Sequence, residues 1–246
     1  MRRFSSLFLG FTACSVAAFM AGCGGGGGGS SSPNPTATPR PTATPRPTPQ
    51  VGNCDNSTYQ PNYASAAGTL RHWTGFPLRI FLESTDARTR ALTLRGFDQW
   101  VDATDGKVRY QIVSDEDDAD ITVTFAPPRS DNRLGLTTTY FFEGQTTIQR
   151  AEIEFFYYPF NSRGDAEQVN ESVAAHEFGH ALGIGGHSNN GGDLMFPTIS
   201  GGLKEVNTRD LNTLLTAYCN NFPNRATGAV RQPAGVLRKH VISLHG

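Results

Sequence analysis

The stretch His176-Glu177-Phe178-Gly179-His180-Ala181-Leu182-Gly183-Ile184-Gly185-Gly186-His187, with Asp193-Leu194-Met195-Phe196-Pro197 shortly after it, is where the chain says most about itself. Positions i and i+4 of an α-helix differ by about 40° of rotation, so His176 and His180 project from one side, one turn apart. Val169, Val173, His176 and His180 continue a single face at spacings of four, three and four, which predicts a helix from Asp165 to Leu182. Asp165 and Glu167 stand where a helix N-terminus favours acid. Gly183 ends the helix, since glycine accepts the positive φ that a sharp turn needs. Three of the chain's six histidines lie here. Two imidazoles one turn apart can grip one zinc ion, and His187 is available from the following loop as a third ligand, with Asp193 as the alternative. Glu177, beside the first ligand, can reach a water on that ion without ligating it. The plain alternative is a helix that merely carries two histidines; Gly183, His187 and the Met195 turn at these spacings weigh against it.

Outward from this stretch, Leu78, Ile80 and Leu82 alternate with Arg79 and Phe81 as in a strand. Ser84-Thr85-Asp86 offers helix caps, and Ala87, Ala91, Leu94, Phe97 and Val101 follow at helical spacing. Val108–Val113 reads as a second strand, Asp115–Asp118 as a solvated acidic turn, and Ile121–Phe125 as a third strand ended by Pro127-Pro128. Ser130–Gln145, rich in Gly and Thr, reads as irregular. Ile148–Tyr157 is a fourth strand, with Ala151, Ile153 and Phe155 on one face and Arg150, Glu152 and Glu154 on the other. Gly185–Gly202 is a loop, and Asn207–Tyr218 a last helix. The tail from 221 to 246 is either disordered or an added edge strand. Strands that precede the final helices imply an α+β fold with one mixed sheet.

His176-Glu-Phe-Gly-His180-Ala-Leu-Gly183-Ile-Gly-Gly-His187-Ser188, then Leu194-Met195-Phe196-Pro197, resembles the metzincin zinc metalloproteases, nearest to their matrixin-like branch. The resemblance implies a twisted mixed sheet above an active-site helix, a zinc cleft and a C-terminal helix, over about residues 70–220. It implies that His176, His180 and His187 ligate zinc and that Glu177 is the general base and acid. It makes Met195 the residue packed beneath the metal and Gly183 the turn that delivers the third ligand. Asp210 stands where the family often has an Asp supporting the methionine turn. The family's usual spacing puts the third histidine at position 186, so Gly185-Gly186 must absorb one extra residue. The resemblance also implies an extended peptide or protein substrate paired antiparallel with an edge strand, for which Ile148–Phe155 is the candidate. Pro197 and Ile199 would wall the adjoining pocket.

The first fifty residues are of another kind. They hold no Asp or Glu and 7 of the 15 prolines, and cannot build a packed core. Met1-Arg2-Arg3, an apolar stretch from Phe4 to Met20, then Ala21-Gly22-Cys23 describe a secretory signal over residues 1–22. Small residues before a cysteine resemble the bacterial lipoprotein signal, which implies lipidation of Cys23. Residues 23–50 form a tether: Gly24–Gly29 and Ser30–Ser32 are flexible, and the repeat Pro-Thr-Ala-Thr-Pro-Arg at 35–40 and 41–46 favours extended polyproline II. Cys14 leaves with the signal. In an exported domain over residues 51–220, the remaining Cys54 and Cys219 most simply form a disulfide. The alternative is that Cys54 is a free thiolate covering the metal.

The formal charge of −1 hides the same division. Without Arg2, Arg3, Arg40 and Arg46 the rest of the chain has 17 basic and 22 acidic groups, which is no nucleic-acid footprint. The reading is therefore a monomeric, lipid-anchored zinc endopeptidase of the bacterial cell envelope, outside the cytoplasm. Two alternatives stand beside it: an envelope lipoprotein that binds zinc and cleaves nothing, and a zinc hydrolase of cell-wall cross-links.

Overall fold

The structure is a computed structural model that describes residues 70–83, 86–156, 166–226 and 235–246. Cys23, Cys54 and the whole signal and tether lie outside the described residues. Among the described residues no helix is long and apolar enough to cross a membrane.

Among the described residues six strands, β1 (Leu78–Leu82), β2 (Tyr110–Val113), β3 (Ile121–Phe125), β4 (Arg133–Phe142), β5 (Ile148–Phe155) and β6 (Leu237–His245), make one mixed, twisted sheet in the order β2-β1-β3-β5-β4-β6. β1 runs parallel to β2 and β3, and β3 parallel to β5. β4 is antiparallel to both β5 and β6. Burial alternates along the strands, so one face of the sheet is dry and the other wet. Leu78, Ile80, Leu82, Ile121, Val123, Ala151, Ile153 and Phe155 point to the dry face. Helices α1 (Ala87–Ala103) and α2 (Ala166–Ala181) pack with them in a single core.

Asp86 caps α1, its carboxylate accepting from the Thr89 amide at 2.7 Å, so of the three candidate caps the structure uses the last. The two helices approach closely at Gly96, where a Cβ would come within 2.5 Å of the Glu171 carbonyl. Trp100 Nε1 donates to the Ala175 carbonyl at 2.7 Å, and Phe97 stacks on Phe178 with ring centroids 4.3 Å apart. From Ser172 to Ala181 every residue of α2 is buried, as suits a helix enclosed by the fold. Its final carbonyls, which no helical amide can satisfy, are taken by buried aromatics. Trp73 Nε1 donates to Ala181 at 2.8 Å and Tyr218 Oη to Leu182 at 2.7 Å. Tyr218 closes the third helix, α3 (Thr208–Tyr218), whose Asn207 and Asp210 form a reciprocal capping box. Cys219 follows in the left-handed region at φ 49° and is disulfide-bonded. Its expected partner Cys54 is outside the described residues.

Two expectations are corrected. Ser130–Gln145 is not irregular: it contains β4, a ten-residue strand. Its inward positions are Gly135, Thr137 and Thr139, small or polar rather than apolar, so the usual alternation is hidden. Nor can Ile148–Phe155 receive a substrate strand. β5 is hydrogen-bonded on both sides, by β3 and β4, and its polar outer face is the wet face of a one-sided sheet, not a free edge. Of the two readings of the tail, the structure bears out the edge strand: β6 lies outside β4.

Candidate active site

α2 presents His176 and His180 as their spacing requires, and the turn at Gly183 brings His187 to them. His180 Nε2 lies 3.0 Å from His176 Nε2 and 3.2 Å from His187 Nε2, and the potential ligand atoms of all three lie within 4.8 Å of one another. The extra glycine before His187 is absorbed without taking its ring out of reach.

The other nitrogens fix the tautomers. His176 Nδ1 lies 2.8 Å from the Leu194 carbonyl, and His180 Nδ1 lies 2.7 Å from the Ile184 carbonyl. A carbonyl oxygen only accepts, so both rings carry their proton on Nδ1 and turn a bare Nε2 lone pair inward. Two lone pairs facing each other at 3.0 Å repel unless a cation lies between them. Tetrahedral zinc with Zn–N bonds of about 2.0–2.1 Å sets its ligand nitrogens about 3.3–3.4 Å apart, close to the spacing found. Burial pushes His176 down to about 3 and His187 down to about 4, and holds His180 well below its ordinary value. The three rings are thus neutral, which is the ligating form. A zinc ion fits this donor set.

Asp193, the alternative third ligand, is engaged elsewhere. Its carboxylate accepts from Ser188 Oγ, from Asn207 Nδ2 at 3.0 Å and from Arg209 Nε at 2.9 Å. It is not among the residues that converge. Instead it braces the loop beneath the histidines. Fully buried Asp210 completes that brace: it accepts from the amides of Leu194 at 3.0 Å and Met195 at 3.3 Å. Met195 is fully buried under α2, and a Cβ at Gly179 would lie 2.6 Å from its sulfur. Its carbonyl accepts from the Ser188 amide at 2.8 Å, tying the turn to the residue after His187.

Glu177 is completely buried against β4. Thr137 Oγ1 donates to Glu177 Oε2 at 2.5 Å, while Oε1 has no partner among the described residues. Gly135 makes the room: a Cβ there would stand 2.4 Å from Oε1. Burial, partly offset by the Thr137 hydroxyl, pushes the carboxyl up to about 8. Sequence reading missed both β4 residues. They lie about 40 positions from Glu177, in a segment whose pattern conceals a strand, and carry no local signal.

A sequence profile of the matrixin peptidase family matches residues 79–218, more than half of the chain. The chain belongs to the matrixin family. Its three histidines are a cluster compatible with the metzincin zinc site, and the mixed sheet, active-site helix and C-terminal helix are those of a matrixin domain. Matrixins are zinc metalloproteases, and membership supports that class here. The match runs from β1 to the end of α3, and β6 lies outside the matched residues. No curated protein matches the chain.

Proposed function

We propose that this matrixin is a zinc-dependent endopeptidase, exported and lipid-anchored through Cys23 to the bacterial cell envelope, and held off the membrane by its Gly/Ser and Pro/Thr tether. It works as a monomer on peptide or protein substrates. The observation that carries the catalytic part is the pair of Nε2 lone pairs 3.0 Å apart, with a third imidazole beside them and a buried carboxylate one residue from the first.

Nε2 of His176, His180 and His187 would hold the ion. When bound, zinc supplies Lewis acidity: it brings a water towards a pKa of about 7 and polarises the scissile carbonyl. The protein's own groups do the rest. With the charge of a bound cation beside it to keep the buried carboxyl ionised, Glu177 Oε1, which has no partner among the described residues, takes the proton from the attacking water as its oxygen bonds to the carbonyl carbon. The same oxygen returns that proton to the amine nitrogen as the C–N bond breaks, leaving a carboxylic acid and an amine, which become carboxylate and ammonium as the water's second proton passes from one to the other. Thr137 keeps the other oxygen, Oε2, fixed so that the carboxylate turns one way. The carbonyls of Leu194 and Ile184 hold the His176 and His180 rings, and Asp210 holds the Leu194 backbone in its turn.

The test is metal stoichiometry together with cleavage. The purified chain is expected to contain about one zinc, by elemental mass spectrometry, and to cut casein or a peptide library at internal bonds. Zinc-replete protein that cuts no peptide under any condition, including release of β6, would instead favour the binding lipoprotein. Cleavage confined to cell-wall cross-links would favour the third reading. A finer prediction concerns Thr137. Thr137→Val keeps the shape but drops the hydroxyl, so kcat should fall about tenfold through a misoriented carboxylate. KM and zinc content should stay near wild type, and Thr137→Ser should recover most of the rate. Steady-state kinetics on the three proteins checks this.

A further inference from the structure

β6 lies between β4 and the segment just past the methionine turn. It pairs antiparallel with β4 along its length, from Phe142↔Leu237 to Gly135↔Leu244 and Arg133↔His245. At its far end it also bridges, in parallel, to the segment just past the methionine turn. The Ile199 amide donates to the His245 carbonyl at 3.1 Å and the His245 amide to the Pro197 carbonyl at 3.2 Å. One strand is thus held on both sides: by β4, which carries Gly135 and Thr137 against Glu177, and by the Pro197–Ile199 segment. Directly opposed residues of an antiparallel pair share a face. Leu244 and Ile242, opposite Gly135 and Thr137, therefore point to the side on which Glu177 lies. Leu244 is completely buried.

β6 nonetheless contributes little to the core. Of its nine residues only Leu244 is buried, and Leu237 and Val241 are each 47% exposed. β1, by comparison, buries Leu78, Ile80 and Leu82. Removing β6 would expose one core side chain and one backbone ladder, both of which another strand with aliphatic side chains two apart can replace.

We propose that β6 is a built-in competitor, seated in the channel between β4 and Pro197–Ile199 against extended substrates with aliphatic side chains at the Ile242 and Leu244 positions. The proposal rests on the endopeptidase reading above. A tethered strand acts at an effective concentration on the order of millimolar, enough to outcompete a dilute peptide. The full chain is then restrained, and cuts casein or a peptide only as fast as that substrate displaces β6.

The test uses the full chain, wild type and Leu244→Asp, which puts a charge where the one buried side chain of β6 stands. The variant is expected to cleave a quenched reporter peptide about tenfold faster or more, with unchanged zinc. A synthetic peptide of residues 236–246 should return the variant to the wild-type rate, competitively with the reporter. By fluorescence anisotropy that peptide, labelled, should bind the variant and not the wild type. Where Leu244→Asp fails to fold, Ile242→Pro serves. Since the His245 amide turns to Pro197, alternation turns the Ile242 amide to β4, and proline removes it. Equal cleavage by wild type and a folded variant, or no binding of the 236–246 peptide to that variant, overturns the proposal and leaves the endopeptidase reading standing. Peptide binding to the variant alone, with no cleavage by either protein, upholds β6 as the channel's occupant and overturns the endopeptidase reading.

Discussion

Glu177→Gln is expected to leave about one zinc per chain and to lower kcat by about 10²–10⁴-fold, the range a positioned general base contributes. The substitution is close to isosteric. Thr137 Oγ1 can still donate to the side-chain oxygen that replaces Oε2, so the side chain keeps its place. What is lost is the capacity of the second atom to take a proton and return it. Stability should hold or rise, because a fully buried carboxylate with one oxygen unpartnered among the described residues is kept for chemistry and not for folding. The histidines are untouched, and zinc content by mass spectrometry separates loss of chemistry from loss of metal. Melting temperature, kcat and KM complete the measurement. A variant that cuts within twofold of wild type would remove Glu177 from the mechanism. Glu177→Asp should also fail, for a different reason: a shorter arm draws the carboxylate away from the Thr137 hydroxyl.

This prediction joins a residue legible in the sequence to one that was not. Glu177, His176 and His180 are readable because helical periodicity is local: four residues apart means one face, whatever else the chain does. Asp210 is readable only through the family resemblance, and the structure supplies its physical content in the two amides it accepts from. Thr137 and Gly135 are unreadable because the requirement they meet is long-range. The inner face of β4 must be small and polar where Glu177 lies against it, and that requirement erases the apolar alternation that would have announced a strand. The site thus breaks the local rule at the place where it uses the strand. The misassigned substrate strand has the opposite cause. β5 alternates cleanly, but clean alternation records a sheet wet on one face, and it cannot distinguish an interior strand from an edge. β6 is ambiguous because half of its four apolar side chains face solvent; its pairing with β4 makes it a strand.

The turn that delivers His187 makes the second large prediction. Gly183 has φ 120°, which L side chains rarely adopt, and a Cβ there would stand 1.9 Å from the Arg71 carbonyl oxygen and 2.6 Å from its carbon. The obstacle is backbone, and it cannot rotate aside. Arg71 is itself fixed to this glycine, its amide donating to the Gly183 carbonyl at 3.0 Å. Gly183→Ala must therefore push the segment around Arg71 and the end of α2 apart. Backbone strain of about 1–3 kcal/mol adds to the overlap, and the total is expected to reach about 4 kcal/mol or more, in the range reserved for special backbone positions. A domain whose whole stability is about 5–15 kcal/mol would then be partly unfolded. The damage also reaches the metal site directly. Ile184, the next residue, supplies the carbonyl that fixes the His180 ring, and His187 follows three residues later. Zinc retention should fall together with the denaturant midpoint. Gly191→Ala is the control from the same loop: its φ is not positive and no atom lies within 4 Å of a Cβ there. Its stability should stay within about 0.5 kcal/mol of wild type. Equal midpoints and equal zinc for the two alanine variants would mean that Gly183 is only a spacer, and that His187 reaches the site without the turn.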